Sequence, residues 1–355
     1  MPRVKAAALR ALAAAATASP SLAIWVATPA CAHGFGQRYD LPIPLSFYFA
    51  GTAAAIIVTF LMVGLLVRDA SRRHAYGHID LLATGLGRFI AGPTIVWVLK
   101  LFVLAAFLVT IIAGFLGDQN PYRNLAPTMV WIIGWVGVAY VSAFVGNLWS
   151  VVNPWRTLFR SATIIARTIS GRRDLALNLR YPEFLGVWPA FVLLLAFSWT
   201  ELVYPNPAVP RFLASLAIAY SVLTFAGMAL FGCETWLRRG EVFTLVFDTF
   251  ARFAPLDLRV GSRPRLWLRP FGVGLIEQDV VTTSMMAFVL LLLASVLYDG
   301  ALGTPEWGEL ENALAALLPA LGEFKLMAVR AAGLIAFWLV FFAAYVAVSA
   351  AMSAM

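Results

Sequence analysis

Chemistry in this chain begins with the run His33-Gly34-Phe35-Gly36-Gln37-Arg38-Tyr39-Asp40-Leu41-Pro42-Ile43-Pro44, which directly follows Ala30-Cys31-Ala32. The A-x-A triplet closes a stretch that reads as a secretory signal peptide, so cleavage after Ala32 makes His33 the first mature residue. A terminal histidine carries a free α-amine beside its imidazole. Both group types titrate near neutrality, so together they can chelate a metal or accept protons. Gly34 and Gly36 leave the backbone free to fold closely round such a site. Pro42 and Pro44 hold the next residues extended. His33, Arg38, Tyr39 and Asp40 are therefore the catalytic candidates, with His33 and Asp40 as metal ligands for copper or another divalent ion.

Other polar residues are weaker candidates. His74 and His78 are four apart with Asp80 nearby, a spacing that puts both rings on one helical face. Gly77 between them and Arg72-Arg73 before them favour a solvated loop instead. Glu201 and Asp299 fall, like Asp40, at one end of a long apolar run, where a helical bundle could gather the three beneath the His33 segment. Carboxylates half out of water can serve as general bases. Asn147 falls late in an apolar run and reads as an interhelical hydrogen bond, with a ligand role as the alternative. No GxSxG, Walker or HExxH pattern occurs.

The elements that must position these residues are set by composition. The 355 residues are 61% hydrophobic and 12% charged, with a mean hydropathy of +0.84. A soluble fold of this size cannot bury that much apolar surface, whereas a bilayer can. The net charge of +8 sits on arginines in short loops, which excludes a nucleic-acid partner. The two cysteines, Cys31 and Cys233, form no CxxC or Cys/His zinc spacing.

Arg3, Lys5 and Arg10 make a basic leader and residues 11–27 an apolar core, giving a signal peptide over 1–32 and a single transmembrane helical domain over 33–355. The alternative is an uncleaved first helix. Seven further apolar runs predict membrane spans at about 45–67, 93–117, 127–151, 184–202, 211–232, 280–298 and 327–350. Placing His33 outside puts seventeen arginines in the inner loops (68, 72, 73, 88, 156, 160, 167, 172, 173, 180, 238, 239, 252, 259, 263, 265 and 269). Four basic residues, Arg38, Arg123, Arg211 and Lys325, fall outside. That bias predicts an N-outside, C-inside protein of the bacterial cytoplasmic membrane.

The fold expected is all-α and integral to the membrane, with short interfacial helices. Phe243, Val246, Phe247, Phe250 and Phe253 repeat at helical spacing, as do Leu310, Leu314, Leu317, Leu318 and Leu321. Trp149 and Asn153-Pro154-Trp155-Arg156 mark the inner end of the third span, and Trp236 with Arg238 that of the fifth. Lys100 and Arg330, inside spans near their ends, are expected to snorkel to the headgroups.

The twelve residues from His33 to Pro44 resemble the H-G-x-G-x-R-Y-D-L-P-x-P opening of bacterial membrane proteins known as fenitrothion hydrolase. Over the rest, the resemblance is confined to the span layout and the arginine-rich inner loops. It implies a signal-bearing, all-helical hydrolase or hydrolase subunit that cleaves aryl organophosphorus esters and releases a phenol. A lipophilic small-molecule substrate would reach such a site through the bilayer, and a second membrane subunit is a possible partner. Two alternatives stay open: a non-enzymatic copper-handling or transport protein using His33 outside, and a structural subunit of a larger complex.

Overall fold

The computed structural model describes residues 77–171, 174–259, 265–275 and 281–354, with five helical positions, Ala50, Gly51, Ala53, Ala54 and Ile57, further upstream. The chain divides into two compact units, Met1–Ala70 and Ser71–Met355. In the first, those five positions fall within the expected span 45–67; the rest of that span, the signal peptide and the His33 segment lie outside the described residues.

The second unit opens with β1 (Ile79–Asp80) and α1 (Gly85–Ile90), which Thr84 caps through its hydroxyl. α2 (Pro93–Leu116) starts on a proline at its first turn, where no amide hydrogen is needed, and runs 24 residues. At 1.5 Å per residue, about 36 Å, it is long enough to cross a bilayer. Asn124 then clamps the turn. Its amide donates to the carbonyls of Ala113 and Asp118, both at 2.7 Å, and its oxygen caps the next helix at Ala126 N.

α3 (Leu125–Phe144) is π-helical over Thr128–Gly137. It stops at a break where Gly146 bridges to Leu256; a side chain at Gly146 would press on the Leu256 carbonyl. The sequence predicts this span to run to 151. The apolar residues continue, but the backbone turns and a short α4 (Trp149–Val152) begins, its Ser150 N donating to Asn147 Oδ1 at 3.0 Å. Asn153 caps α5 (Pro154–Ser170), which Gly171 ends in the left-handed region at φ 69°.

α6 (Trp188–Leu202) and α7 (Pro210–Phe231) follow. Gly232, at φ 89°, swings the chain into α8 (Cys233–Arg239), and α9 (Val242–Ala251) turns back against α3 and α6. β2 (Leu256–Arg259) and β3 (Arg265–Leu268) complete an antiparallel sheet of order β1-β3-β2. α10 (Thr283–Leu302), α11 (Pro305–Ala316) and α12 (Lys325–Ser353) close the described chain.

Six helices among the described residues are long and apolar enough to cross a membrane: Pro93–Leu116, Leu125–Phe144, Glu183–Leu202, Pro210–Phe231, Thr283–Leu302 and Pro319–Ser353. The protein is a mostly helical, multi-pass membrane protein, and six of the seven expected spans are present where the apolar runs placed them. α10 is the most enclosed span and α2 the least, so α10 sits at the centre and α2 at the lipid-facing rim. The main core joins Phe191 and Leu194 of α6, Val246 and Phe247 of α9, and Phe288 and Leu291 of α10.

Helix ends gather on two sides. On one, Gln119 accepts from Arg211 N at 3.1 Å and the Trp131 indole donates to the Pro207 carbonyl at 3.1 Å. On the other lie the sheet, α5 and α8. Three expectations are corrected here. The loop expected around His78 is partly strand: β1 pairs with β3 and His78 stacks on Trp267 with ring centroids 3.8 Å apart, while residues 77–80 stay solvent-exposed. The phenylalanine helix α9 does not lie on the membrane: Val246 and Phe247 are fully buried, because Val242, Leu245 and Val246 make it apolar on more than one face. Arg330 does not reach for headgroups: its Nε donates to Glu311 Oε1 at 2.7 Å, which fastens α11 to α12. The leucine stripe from Leu310 to Leu321 is exposed, as the sequence predicts.

Candidate functional site

Of the sequence candidates, His33, Arg38, Tyr39 and Asp40 lie outside the described residues, as does His74. Among the described residues no group of three or more histidine, cysteine, aspartate or glutamate side chains is arranged to hold a metal. Asp80 caps the turn that follows it, accepting from Leu82 N at 2.9 Å, and His78 is occupied by Trp267.

Glu201 and Asp299 do come together. Glu201 is half-buried one residue before α6 ends, and Asp299 is exposed near the end of α10, which packs on α6. Neighbouring carboxylates attract whatever positive species is at hand, a proton or a cation, and this is the chemistry a general base requires.

Asn147 is an interhelical hydrogen bond rather than a ligand. It lies in the break after α3, not within the span as expected, and its amide donates to Asp248 Oδ1 at 3.0 Å. Six residues on, Asn153 does the same for Glu241, donating to Oε2 at 3.3 Å. Glu241 and Asp248 are seven apart, two turns of one helix face. Two asparagines of the broken segment thus hold two acids of the segment that returns into the bundle.

Glu241 is the polar centre that sequence reasoning passes over. Its side chain is 0% exposed, and among the described residues no arginine or lysine pairs with it. Dipoles carry its charge instead. Tyr220 Oη donates to Oε1 at 2.5 Å and Phe243 N at 3.0 Å, while Thr244 N donates to Oε2 at 2.8 Å, joined there by the Thr244 hydroxyl. Glu241 caps α9 while Asn153 caps α5, its oxygen accepting from Arg156 N at 3.0 Å, so two helix N-termini converge on one carboxylate. Trp149, Trp155, Tyr220 and Phe243 wall this centre with edge-on and stacked contacts. With both oxygens engaged by protein donors, Glu241 anchors helices and has no lone pair aimed at a ligand. The only sequence signal was Gly240-Glu241 directly ahead of an apolar run, a position where serine, threonine, asparagine or aspartate is the usual cap.

Towards the same end of the bundle, Arg156 Nη2 and Arg160 Nη2 both reach Glu234, at 3.0 and 2.8 Å. Arg160 and Glu234 border a cavity of about 480 Å³ lined also by Thr163, Asp174, Asn178 and Cys233, among others. Burial, with the Glu234 carboxylate beside it, pushes the Cys233 thiol up to about 11. A thiol held protonated at neutral pH is a poor nucleophile.

The chain matches no protein-family model, and no curated protein or solved structure is detectably similar to it.

Proposed function

We propose that the chain is a membrane-integral hydrolase, or a subunit of one, that cleaves lipid-soluble aryl organophosphorus esters at the outer face of the bacterial cytoplasmic membrane. The observations that carry this reading are the positions of Glu201 and Asp299 at the ends of α6 and α10, two helices that pack together, and the resemblance of residues 33–44. The arginine bias of the loops supports an orientation with the mature N-terminus and both carboxylates outside.

In the reaction, a water oxygen attacks phosphorus as the bond from phosphorus to the aryl oxygen breaks. The water gives up a proton to a carboxylate, and the aryloxide leaves and takes up a proton to become the phenol. Glu201 and Asp299 supply the base. In the first unit the opening run offers His33 and Asp40 as base or metal ligands, Arg38 to stabilise charge on phosphoryl oxygens, and Tyr39 beside them.

The test uses the full chain in proteoliposomes with an aryl phosphotriester, following phenol release. Glu201→Gln and Asp299→Asn should each abolish most of it, as should His33→Ala and Asp40→Asn. Release unchanged in all four variants refutes the assignment. Edman sequencing of the same preparation should begin at His33, and a different start removes the terminal-amine chemistry. Stoichiometric copper without phenol release would favour the copper-handling alternative.

A further inference from the structure

Lys100 lies seven residues into α2, a span whose other side chains are apolar apart from two threonines and small residues. It is half-buried, and among the described residues no carboxylate lies within ion-pair distance of it; its recorded neighbour is the Trp97 ring, 5.2 Å from Nζ. The charged side chains of α5, the helix packed against α2, are all cations: Arg156, Arg160 and Arg167. α2 packs on α5, with Phe107 against Trp155 at 5.5 Å. Lys100 precedes Phe107 by seven residues and so shares the face turned to α5.

Glu234 is the carboxylate that answers this group, through both arginines. Asp174 lines the same cavity as Arg160 and Glu234, so three cations meet two carboxylates and a net positive charge is left at the edge of the apolar zone. Like charges gathered in a low-dielectric setting are costly unless an anion joins them. The surrounding surface says which anion. Trp97, Val98, Leu101 and Phe102 beside Lys100, and Ile164 and Ile165 beside Arg160, are exposed. A headgroup at the cations would lay its acyl chains over these side chains.

We infer that Lys100, Arg156 and Arg160 form a binding site for the phosphate of an anionic phospholipid, seated between α2 and α5. The site stands independently of any hydrolytic activity and requires only that these helix ends meet one face of the membrane. Arg156, 13% exposed in its side chain, orients Glu234, while Arg160, 51% exposed, and Lys100 meet the lipid. Basic pockets between transmembrane helices are a recurring means of holding lipid headgroups.

The experiment is native mass spectrometry of the full chain released from mixed micelles containing equal phosphatidylglycerol and phosphatidylcholine. Retention should favour phosphatidylglycerol. Lys100→Met, which swaps one flexible side chain for another of similar length, should reduce that preference about fivefold, and Arg160→Gln by a similar factor. Arg167→Gln, one exposed arginine further along α5, should change it less than twofold and so controls for general surface charge. Gel filtration confirms that each variant remains folded. Equal retention of the two lipids, or a preference untouched by Lys100→Met and Arg160→Gln, overturns the site. Millimolar inorganic phosphate that displaces phosphatidylglycerol completely would also overturn the lipid assignment, because the acyl contacts would then contribute nothing.

Discussion

Replacing Glu241 with alanine tests whether a buried carboxylate held only by dipoles anchors the returning helix. Alanine removes a helix cap, a loss of about 0.5–2 kcal/mol. It also leaves the Phe243 and Thr244 amides and the Asn153 side chain without their acceptor, and a buried donor stripped of its partner costs about 1–3 kcal/mol. Tyr220 and Thr244 can turn their hydroxyls elsewhere, and some of the loss relaxes, so the sum is about 3–6 kcal/mol. Glutamine preserves the shape but presents an NH₂ on one side. Set at the Oε1 position it faces Phe243 N–H, and set at Oε2 it faces Thr244 N–H, and neither backbone group can turn away. Glu241→Gln should therefore cost about 1–3 kcal/mol, one unpaired buried donor, and clearly less than alanine. The assay is reversible unfolding in mixed micelles against increasing denaturing detergent, read by tryptophan fluorescence, since Trp149 and Trp155 border the site. If Glu241→Ala loses under about 1 kcal/mol, or if glutamine and alanine lose the same amount, the carboxylate does not anchor α9 in the manner described.

Three further outcomes follow from other contacts. Arg330→Met should destabilise more than Glu311→Leu in the same unfolding assay, by about 3–5 against 1–3 kcal/mol, because the 7% exposed Glu311 side chain is left stranded whereas Arg330, at 38%, can still reach water; equal losses would contradict it. Gly227→Ala should lose about 1–3 kcal/mol because a methyl there overlaps the Trp236 indole, while Gly300→Ala, which faces open space, should be neutral or slightly stabilising. In a Cys31→Ser chain, alkylation of Cys233 should be slow at pH 7.5 and rise about tenfold per pH unit until near 11, and Glu234→Gln should speed it at fixed pH; fast labelling at neutral pH would contradict the buried, carboxylate-flanked thiol.

The spans were legible because lipid demands long uninterrupted apolar helices, and Pro93, Pro210 and Thr282 mark their starts through helix-entry chemistry that a single sequence carries. The end of α3 was not legible. Val145, Leu148, Trp149, Val151 and Val152 continue the apolar run, and only Gly146 and Asn147 signal the break. That break exists because of contacts more than a hundred residues away, with Leu256 and Asp248. The sheet was hidden for the same reason: β1 is two residues long, and Leu256-Asp257-Leu258 with Leu266-Trp267-Leu268 alternates over too few positions to stand out from an arginine-rich loop. For α9 the helical period was legible but its surroundings were not, since period alone does not separate an interfacial helix from an enclosed one. Glu201 and Asp299 were legible as span-end residues, and the helices that carry them, α6 and α10, pack together.

The molecule handles charge near lipid in two ways, and the difference bears on where a ligand can act. Inside the bundle, Glu241 is met by neutral donors and helix ends, an arrangement that satisfies the carboxylate fully without taking a second ion out of water. Such a site has no unmet demand, and so it holds α5, α7 and α9 together without attracting anything new. At the helix ends the bookkeeping is left open: Glu201 stands beside another acid, and Lys100 stands beside other bases. An excess of one sign next to water or headgroups draws the opposite charge from outside the protein. Functional contacts are therefore expected at these two imbalances, a proton, cation or reacting water at the acidic one and a phosphate at the basic one, with Glu241 fixing the frame between them.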